Sequence, residues 1–189
     1  MARVLFVQNL LFENAGIMQL SAVLKMHGHA CKLAFENALY SELEQSLAQF
    51  APDIIGLSLK QVDRAWALQT AAAIKKLRPE AFIIAGGPLP TYDPGFLDNP
   101  EIDAVNIGEG EYSMLELAEA FDHKLDKTRI KNLHIKEKGI VHRNDPRQRV
   151  VLEDLPFADR GIYLEKGYLA KGVHGFMAAR GCPYQCAFC

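Results

Sequence analysis

Apolar runs alternate with apolar positions at helical spacing through the first 121 residues. Val4-Leu5-Phe6-Val7 is a continuous apolar run, as a strand covered on both faces should be. Ile17, Leu20, Val23 and Leu24 then recur at helical spacing until Gly28. Residues 30–35 read as a second strand and 40–50 as a helix with Leu43 and Leu47 inward. Ile54-Ile55-Gly56-Leu57-Ser58-Leu59 is a third strand. A helix over about 62–78, stopped by Pro79, sets Val62, Ala65, Trp66, Ala72, Ala73 and Leu77 near one side. Phe82-Ile83-Ile84-Ala85 and Ala104-Val105-Asn106-Ile107 are the fourth and fifth strands. Met114, Leu117, Ala118 and Phe121 form the stripe of a last helix.

Repeated strand–helix units with short connections require right-handed crossovers. They predict an α/β fold: a flavodoxin-like or Rossmann-like, doubly wound, parallel five-stranded sheet, with order 2-1-3-4-5 favoured. Ligands of such sheets bind outside the carboxyl ends of the strands. Attention therefore falls on three loops. Ser58, Lys60 and Gln61 follow strand three; Gly86-Gly87-Pro88-Leu89-Pro90-Thr91 follows strand four. Gly108-Glu109-Gly110-Glu111 follows strand five and opens a helix, whose free N–H groups and dipole favour Glu111. Glycine has no Cβ to keep a ligand from the backbone. The loop after strand one, Gln8 to Asn14, lacks the paired glycines of a dinucleotide fingerprint or P-loop. It also lacks the paired aspartates of a phospho-acceptor receiver domain.

Residues 122–171 change character. Asn132 to Lys136 and Ile140 to Arg143 alternate about a Gly-containing turn and predict a β-hairpin. His134 and His142 on it are read as cross-strand neighbours on the surface. Glycines 161, 167, 172 and 175 mark an extended linker, followed by a strand over 175–180. The expected domains are 1–123, a connector over 124–171, and the start of another domain at 172–189.

Composition narrows the function. At 189 residues with a net charge of −2, the chain lacks the basic footprint of a nucleic-acid binder. No apolar run approaches the ~20 residues of a membrane span, and no cleavage site follows the first strand. Of four cysteines, Cys31 falls on a strand and reads as a buried core thiol. Clustering of the other three points to metal ligation in a reducing cytoplasm and not to a disulfide framework.

Those three, Cys182, Cys186 and Cys189, are spaced C-x3-C-x2-C. Structural zinc sites want four ligands, and four-cysteine clusters saturate every iron. A three-thiolate loop leaves one iron open to a small molecule. With Arg180-Gly181 before it and Phe188 inside it, the loop resembles that of radical S-adenosylmethionine (SAM) enzymes. The resemblance implies a [4Fe-4S] cluster on Cys182, Cys186 and Cys189, with SAM on the open iron and Phe188 beside its adenine. It also implies an electron donor such as flavodoxin or ferredoxin.

The order Gly56-x-Ser58, Gly86-Gly87-Pro88-x-Pro90-Thr91, Gly108-Glu109-Gly110-Glu111 resembles the cobalamin-binding domain of cobalamin-dependent radical SAM enzymes. This resemblance covers about residues 3–189. It implies that Ser58, Gly86, Gly87 and Thr91, beside Pro88, contact the nucleotide tail of cobalamin. Gly108, Glu109, Gly110 and Glu111 would lie near the ring or tail. Residues 8–16 contain no histidine, so cobalamin is expected to bind without one on its lower face; Lys60 or Gln61 is the candidate facing cobalt. His27 and His29 are expected to be surface or capping residues. The implied activity is methyl transfer to, or oxidative cyclisation at, an unactivated carbon of a small molecule. With only the start of a SAM-binding barrel present, no turnover is expected from this chain by itself. The alternative is a non-catalytic α/β binding module whose cysteines hold zinc or join a partner.

Overall fold

A computed structural model describes residues 1–167, 174–177, 179–181 and 184–187. Seven strands form one sheet: β1 (Arg3–Gln8), β2 (Ala30–Phe35), β3 (Ile54–Ser58), β4 (Phe82–Gly86), β5 (Ala104–Asn106), β6 (Leu133–Glu137) and β7 (Ile140–Arg143). Their order is β2-β1-β3-β4-β5-β6-β7. The first five pair in parallel, in the expected order 2-1-3-4-5.

The expectation of a five-stranded sheet is corrected by the hairpin, which continues the sheet instead of standing apart. β6 pairs antiparallel with β5, and β7 with β6. Burial of Leu133 and Ile135 explains this, because they complete the core beyond β5. Lys138 and Gly139 both have positive φ, as a two-residue hairpin turn with the sheet's twist requires. The register opposes His134 to Arg143 and Ile135 to His142, so the two histidines lie on opposite faces and are not cross-strand partners.

Alternate residues of each strand feed two cores. Val4 and Phe6 pack with α1 (Ala15–Met26) and α5 (Glu111–His123) on one face. Leu5 and Val7 pack with α2 (Leu43–Phe50) and α3 (Arg64–Leu77) on the other. Asn14 caps α1, its side-chain oxygen accepting from the N–H groups of Gly16 and Ile17.

The expected face of α3 is wrong: Ala67, Thr70, Ala71 and Ile74 are buried. Val62, in a 3-10 turn ahead of α3, is exposed, as are Ala65, Ala72, Ala73 and Leu77, while Trp66 is half-buried. Alanine fits either environment, and the i, i+3, i+4, i+7 set that includes Ile74 decides the rotation. The predicted second helix begins at Leu43, not 40. The predicted loop after strand four contains a short helix, α4 (Pro88–Tyr92), with Pro88 at its first position. Cys31 is buried, and desolvation raises its thiol to about 11. His27 does end α1, but His29 is buried and accepts the Ala2 N–H, so it is not a surface residue.

The linker is less extended than expected. After α6 (Gly161–Leu164) is placed against β2, Tyr163 is wholly buried in the α1/α5 core. Residues 174–177 and 179–181 form no strand, since no neighbouring strand among the described residues pairs with them.

Candidate functional site

A cavity of about 200 Å³ opens at the carboxyl ends of β1, β3, β4 and β5. Its floor comes from strand ends: Phe6, Gly56, Ser58, Gly86 and Asn106. One wall is the Gly108–Glu111 loop, against which Arg180 is bonded, and Met177 also lines the cavity. Gly56 leaves room for the Phe6 ring, since a Cβ there would lie 3.0 Å from the ring edge.

The glycine pair divides its work. Gly87 has φ +92°, and a Cβ would stand 2.8 Å from the Leu59 carbonyl oxygen, so residue 87 lets the chain turn against the neighbouring loop. At Gly86, a Cβ would meet only Asn106 Cβ, at 3.8 Å, and otherwise open space beside the cavity. Thr91 does not line this cavity. Its hydroxyl donates to Gly87 O at 2.8 Å and accepts the Gly108 N–H at 3.0 Å, tying the two glycine loops together. Pro88 is exposed at the start of α4.

Ser58 accepts a bond from the Asn14 side-chain amide at 3.1 Å. Lys60 and Gln61 lie outside the cavity lining and are exposed. The Lys60 ammonium sits 4.7 Å over the Phe12 ring, and its backbone N–H is capped by Asp63.

The wall carries charge. Arg180 Nη2 donates to Glu111 Oε1 at 2.5 Å, and its Nη1 lies 3.5 Å from Glu109 Oε1. Burial disfavours the guanidinium charge, but the two carboxylates outweigh it and raise the pKa. Glu109 also accepts the Val150 N–H. Glu111 is 4% exposed at the start of α5, and its Oε2 has no hydrogen-bond partner among the described residues. Cys186 is exposed, while Cys182, Cys189 and Phe188 lie outside the described residues.

Two site residues escaped the sequence reading. Asn106 donates to Gly108 O at 2.9 Å and accepts from Ser113, which shapes the Gly108–Glu111 loop. A polar side chain at the carboxyl end of an apolar strand was the available signal. Asn14 joins the α1 cap to Ser58 and donates its own N–H to the Tyr163 hydroxyl oxygen, 3.1 Å away. No local pattern marks that second role.

Residues 5–118 match the family described as B12 binding domain, and these residues hold all but the first two residues of the five parallel strands and nearly all of the cavity. The chain belongs to the B12-binding domain family. This B12-binding domain resembles an uncharacterized methyltransferase, PH0819, of Pyrococcus horikoshii, at 31% identity over 159 residues. It also resembles the anaerobic magnesium-protoporphyrin IX monomethyl ester cyclase of Rubrivivax gelatinosus, at 26% over 190 residues. Those alignments cover 82% and 93% of this chain, which spans 35% and 34% of the two relatives. The cobalamin-dependent SAM radical enzyme OxsB, solved with aqua-cobalamin and SAM, shares the fold with a TM-score of 0.72 and 20% identity. That match covers 89% of this chain and 25% of OxsB. The SAM methyltransferase TsrM of Kitasatospora setae, solved with cobalamin and a [4Fe-4S] cluster, matches with TM-score 0.61 and 19% identity, over 79% of this chain and 30% of TsrM. Family membership favours a cobalamin-binding role over the alternative of a cysteine-bridged binding module. No helix among the described residues is long and apolar enough to cross a membrane.

Proposed function

We infer that this chain is the cobalamin-binding part of a radical SAM enzyme. The observation that carries the reading is the cavity beside Ser58, floored by Gly86 and walled by the Gly108–Glu111 loop. Its residues fit the nucleotide tail of cobalamin: a floor without side chains at Gly56 and Gly86, a serine hydroxyl, and an unpartnered carboxylate oxygen at Glu111. Apolar lining from Phe6, Leu20 and Met114 would shield an aromatic base from water.

Ser58, Gly86 and Gly87 would contact the tail, and Thr91 would act by holding the loops in register. Gly108, Glu109, Gly110 and Glu111 form the side that faces the ligand, and exposed Pro88, Lys60 and Gln61 flank the same sheet end. With no histidine in residues 8–16, the chain presents none there to cobalt. The cofactor-binding unit would extend past the expected boundary at residue 123, because the hairpin over 133–143 continues its sheet and Tyr163 fills its core; the first part of a radical SAM domain would begin at about residue 172. Cys182, Cys186 and Cys189 would ligate a [4Fe-4S] cluster that reduces SAM, with Phe188 beside the adenine. When bound, cobalamin supplies a methyl carrier or an electron-transfer partner for radical chemistry. Methyl transfer to, or cyclisation at, an unactivated carbon of a small molecule is the whole enzyme's proposed reaction, with flavodoxin or ferredoxin as electron donor and the cytoplasm as its place.

The test is a visible-spectrum titration of the chain with hydroxocobalamin, followed by desalting. A shifted spectrum retained with the protein is expected; no shift and no retention overturns the reading. Iron and acid-labile sulfide analysis after anaerobic reconstitution tests the cluster separately, and zinc uptake without iron would revive the cysteine-module alternative.

A further inference from the structure

Arg180 stands two positions ahead of Cys182 in sequence, yet its side chain is seated in the wall of the cofactor cavity, only 25% exposed. Its main partner, Glu111, is 69 residues away in the chain. Most ion pairs at a protein surface hold nothing in place. This one differs, because the Glu111 side chain is 5% exposed and a buried carboxylate requires partners for both oxygens. Arg180 satisfies Oε1; Oε2 is enclosed and has none among the described residues. Glu111 also lines the cavity, so a ligand there is the group best placed to supply the missing donor.

We propose that Glu111 is shared between the two cofactor regions: Arg180 holds one carboxylate oxygen, and the other accepts an amide or hydroxyl donor of bound cobalamin, so cofactor binding and docking of the segment before Cys182 reinforce each other. This rests on the cobalamin reading above. The physical reason is reciprocal. Without Arg180, Glu111 and Glu109 would present two uncompensated carboxylates to a ligand whose tail carries a phosphodiester, and like charges repel. Without the ligand's donor, the buried carboxylate remains half satisfied and holds the arginine less tightly. Linkage then requires that each event strengthen the other by the same factor. Arg180 is thus a positioning residue, acting on the cofactor through Glu111.

Trypsin reads the docking directly, because it cleaves after arginine only when that side chain leaves its partners. Cleavage after Arg129, whose side chain is 91% exposed, serves as the internal reference. In the 189-residue chain, saturating hydroxocobalamin is expected to slow cleavage after Arg180 by about fivefold, within the usual range for coupled sites, and to leave Arg129 unchanged. Glu111→Gln, which preserves shape, should speed cleavage after Arg180, abolish the cobalamin effect and weaken hydroxocobalamin binding by about tenfold, as loss of a charged hydrogen bond would. Arg180→Ala should weaken binding by about the fivefold factor that linkage requires. Circular dichroism of each variant confirms that it is folded. Normal cobalamin binding with unchanged Arg180 cleavage, and native affinity in Arg180→Ala, overturns this proposal alone. Absence of cobalamin binding by the native chain overturns it together with the reading on which it rests.

Discussion

Exchanging Gly86 and Gly87 separately for alanine tests whether the rim works as described, because the two substitutions should fail in opposite ways. At position 87 the backbone has φ +92° and ψ −168°, a region that side chains avoid at a cost of about 1–3 kcal/mol. The new Cβ would also stand 2.8 Å from Leu59 O and 3.1 Å from Leu59 N. Neither atom can yield freely: Leu59 N donates to Gly86 O, and Leu59 O accepts from Leu89 N. Strain and collision together give an expected loss of about 2–4 kcal/mol, a large part of the roughly 5–15 kcal/mol that holds a typical domain folded. At position 86 the φ is ordinary and the nearest atom is 3.8 Å away. Gly86→Ala should therefore leave stability within about 1 kcal/mol of native, with a gain favoured by a less flexible unfolded chain. Its methyl group, however, occupies the cavity floor, and hydroxocobalamin affinity should fall by about tenfold, equivalent to ~1.4 kcal/mol. Urea unfolding followed by circular dichroism measures the first quantity and visible titration the second. A Gly87→Ala chain that unfolds at the native urea midpoint, or a Gly86→Ala chain that binds as tightly as native, refutes this account of the rim.

Further consequences can be measured on the same protein. Tyr163→Phe removes the hydroxyl that donates to Gln8 Oε1 at 2.6 Å and accepts the Asn14 N–H, leaving both without that partner; the urea midpoint should fall by the equivalent of about 1–3 kcal/mol. Asp159 is partly desolvated, which favours its neutral form, but bonds from Lys25 and Ser21 outweigh this and depress its pKa. A depressed carboxyl stabilises the fold above its unfolded pKa of about 3.9 and loses that effect as pH falls through the folded value. Asp159→Asn should therefore be less stable than native near neutrality and approach it in acid; a difference that does not change with pH would contradict this. Cys186 is exposed, whereas Cys31 is buried with its thiol raised to about 11. Peptide mapping after brief iodoacetamide treatment at pH 8 should show Cys186 alkylated and Cys31 protected until urea is added.

The five parallel strands were legible because a strand covered on both faces has little choice but to be apolar throughout, as Val4 to Val7 and Ile54 to Leu57 are. The three loops were legible because glycine and serine at strand ends break the apolar pattern where the cavity opens. Helix α3 was misread since Ala65, Ala72 and Ala73 carry no sign of which way they face, and Ile74 alone was decisive. The partner of β5 was hidden for another reason. A hairpin declares its own turn through Lys138-Gly139, but not the edge on which it will dock. Contacts such as Arg180 to Glu111 and Tyr163 to Gln8 have no local signature, because they depend on how remote segments return to the sheet.

That return has a bearing on synthesis. The bond from Tyr163 to Gln8 joins residues 155 positions apart, and the same hydroxyl fixes the Asn14 amide beside the cavity. A chain emerging from the ribosome can pair its strands early and bond the loop after β1 to Asp63 and Ser58, yet that loop lacks the Tyr163 hydroxyl until α6 has cleared the exit tunnel. Nascent chains arrested before residue 163 should consequently be nicked by protease within residues 9–14, and those arrested well beyond it should resist. The first strand to be made is among the last to have its binding end secured.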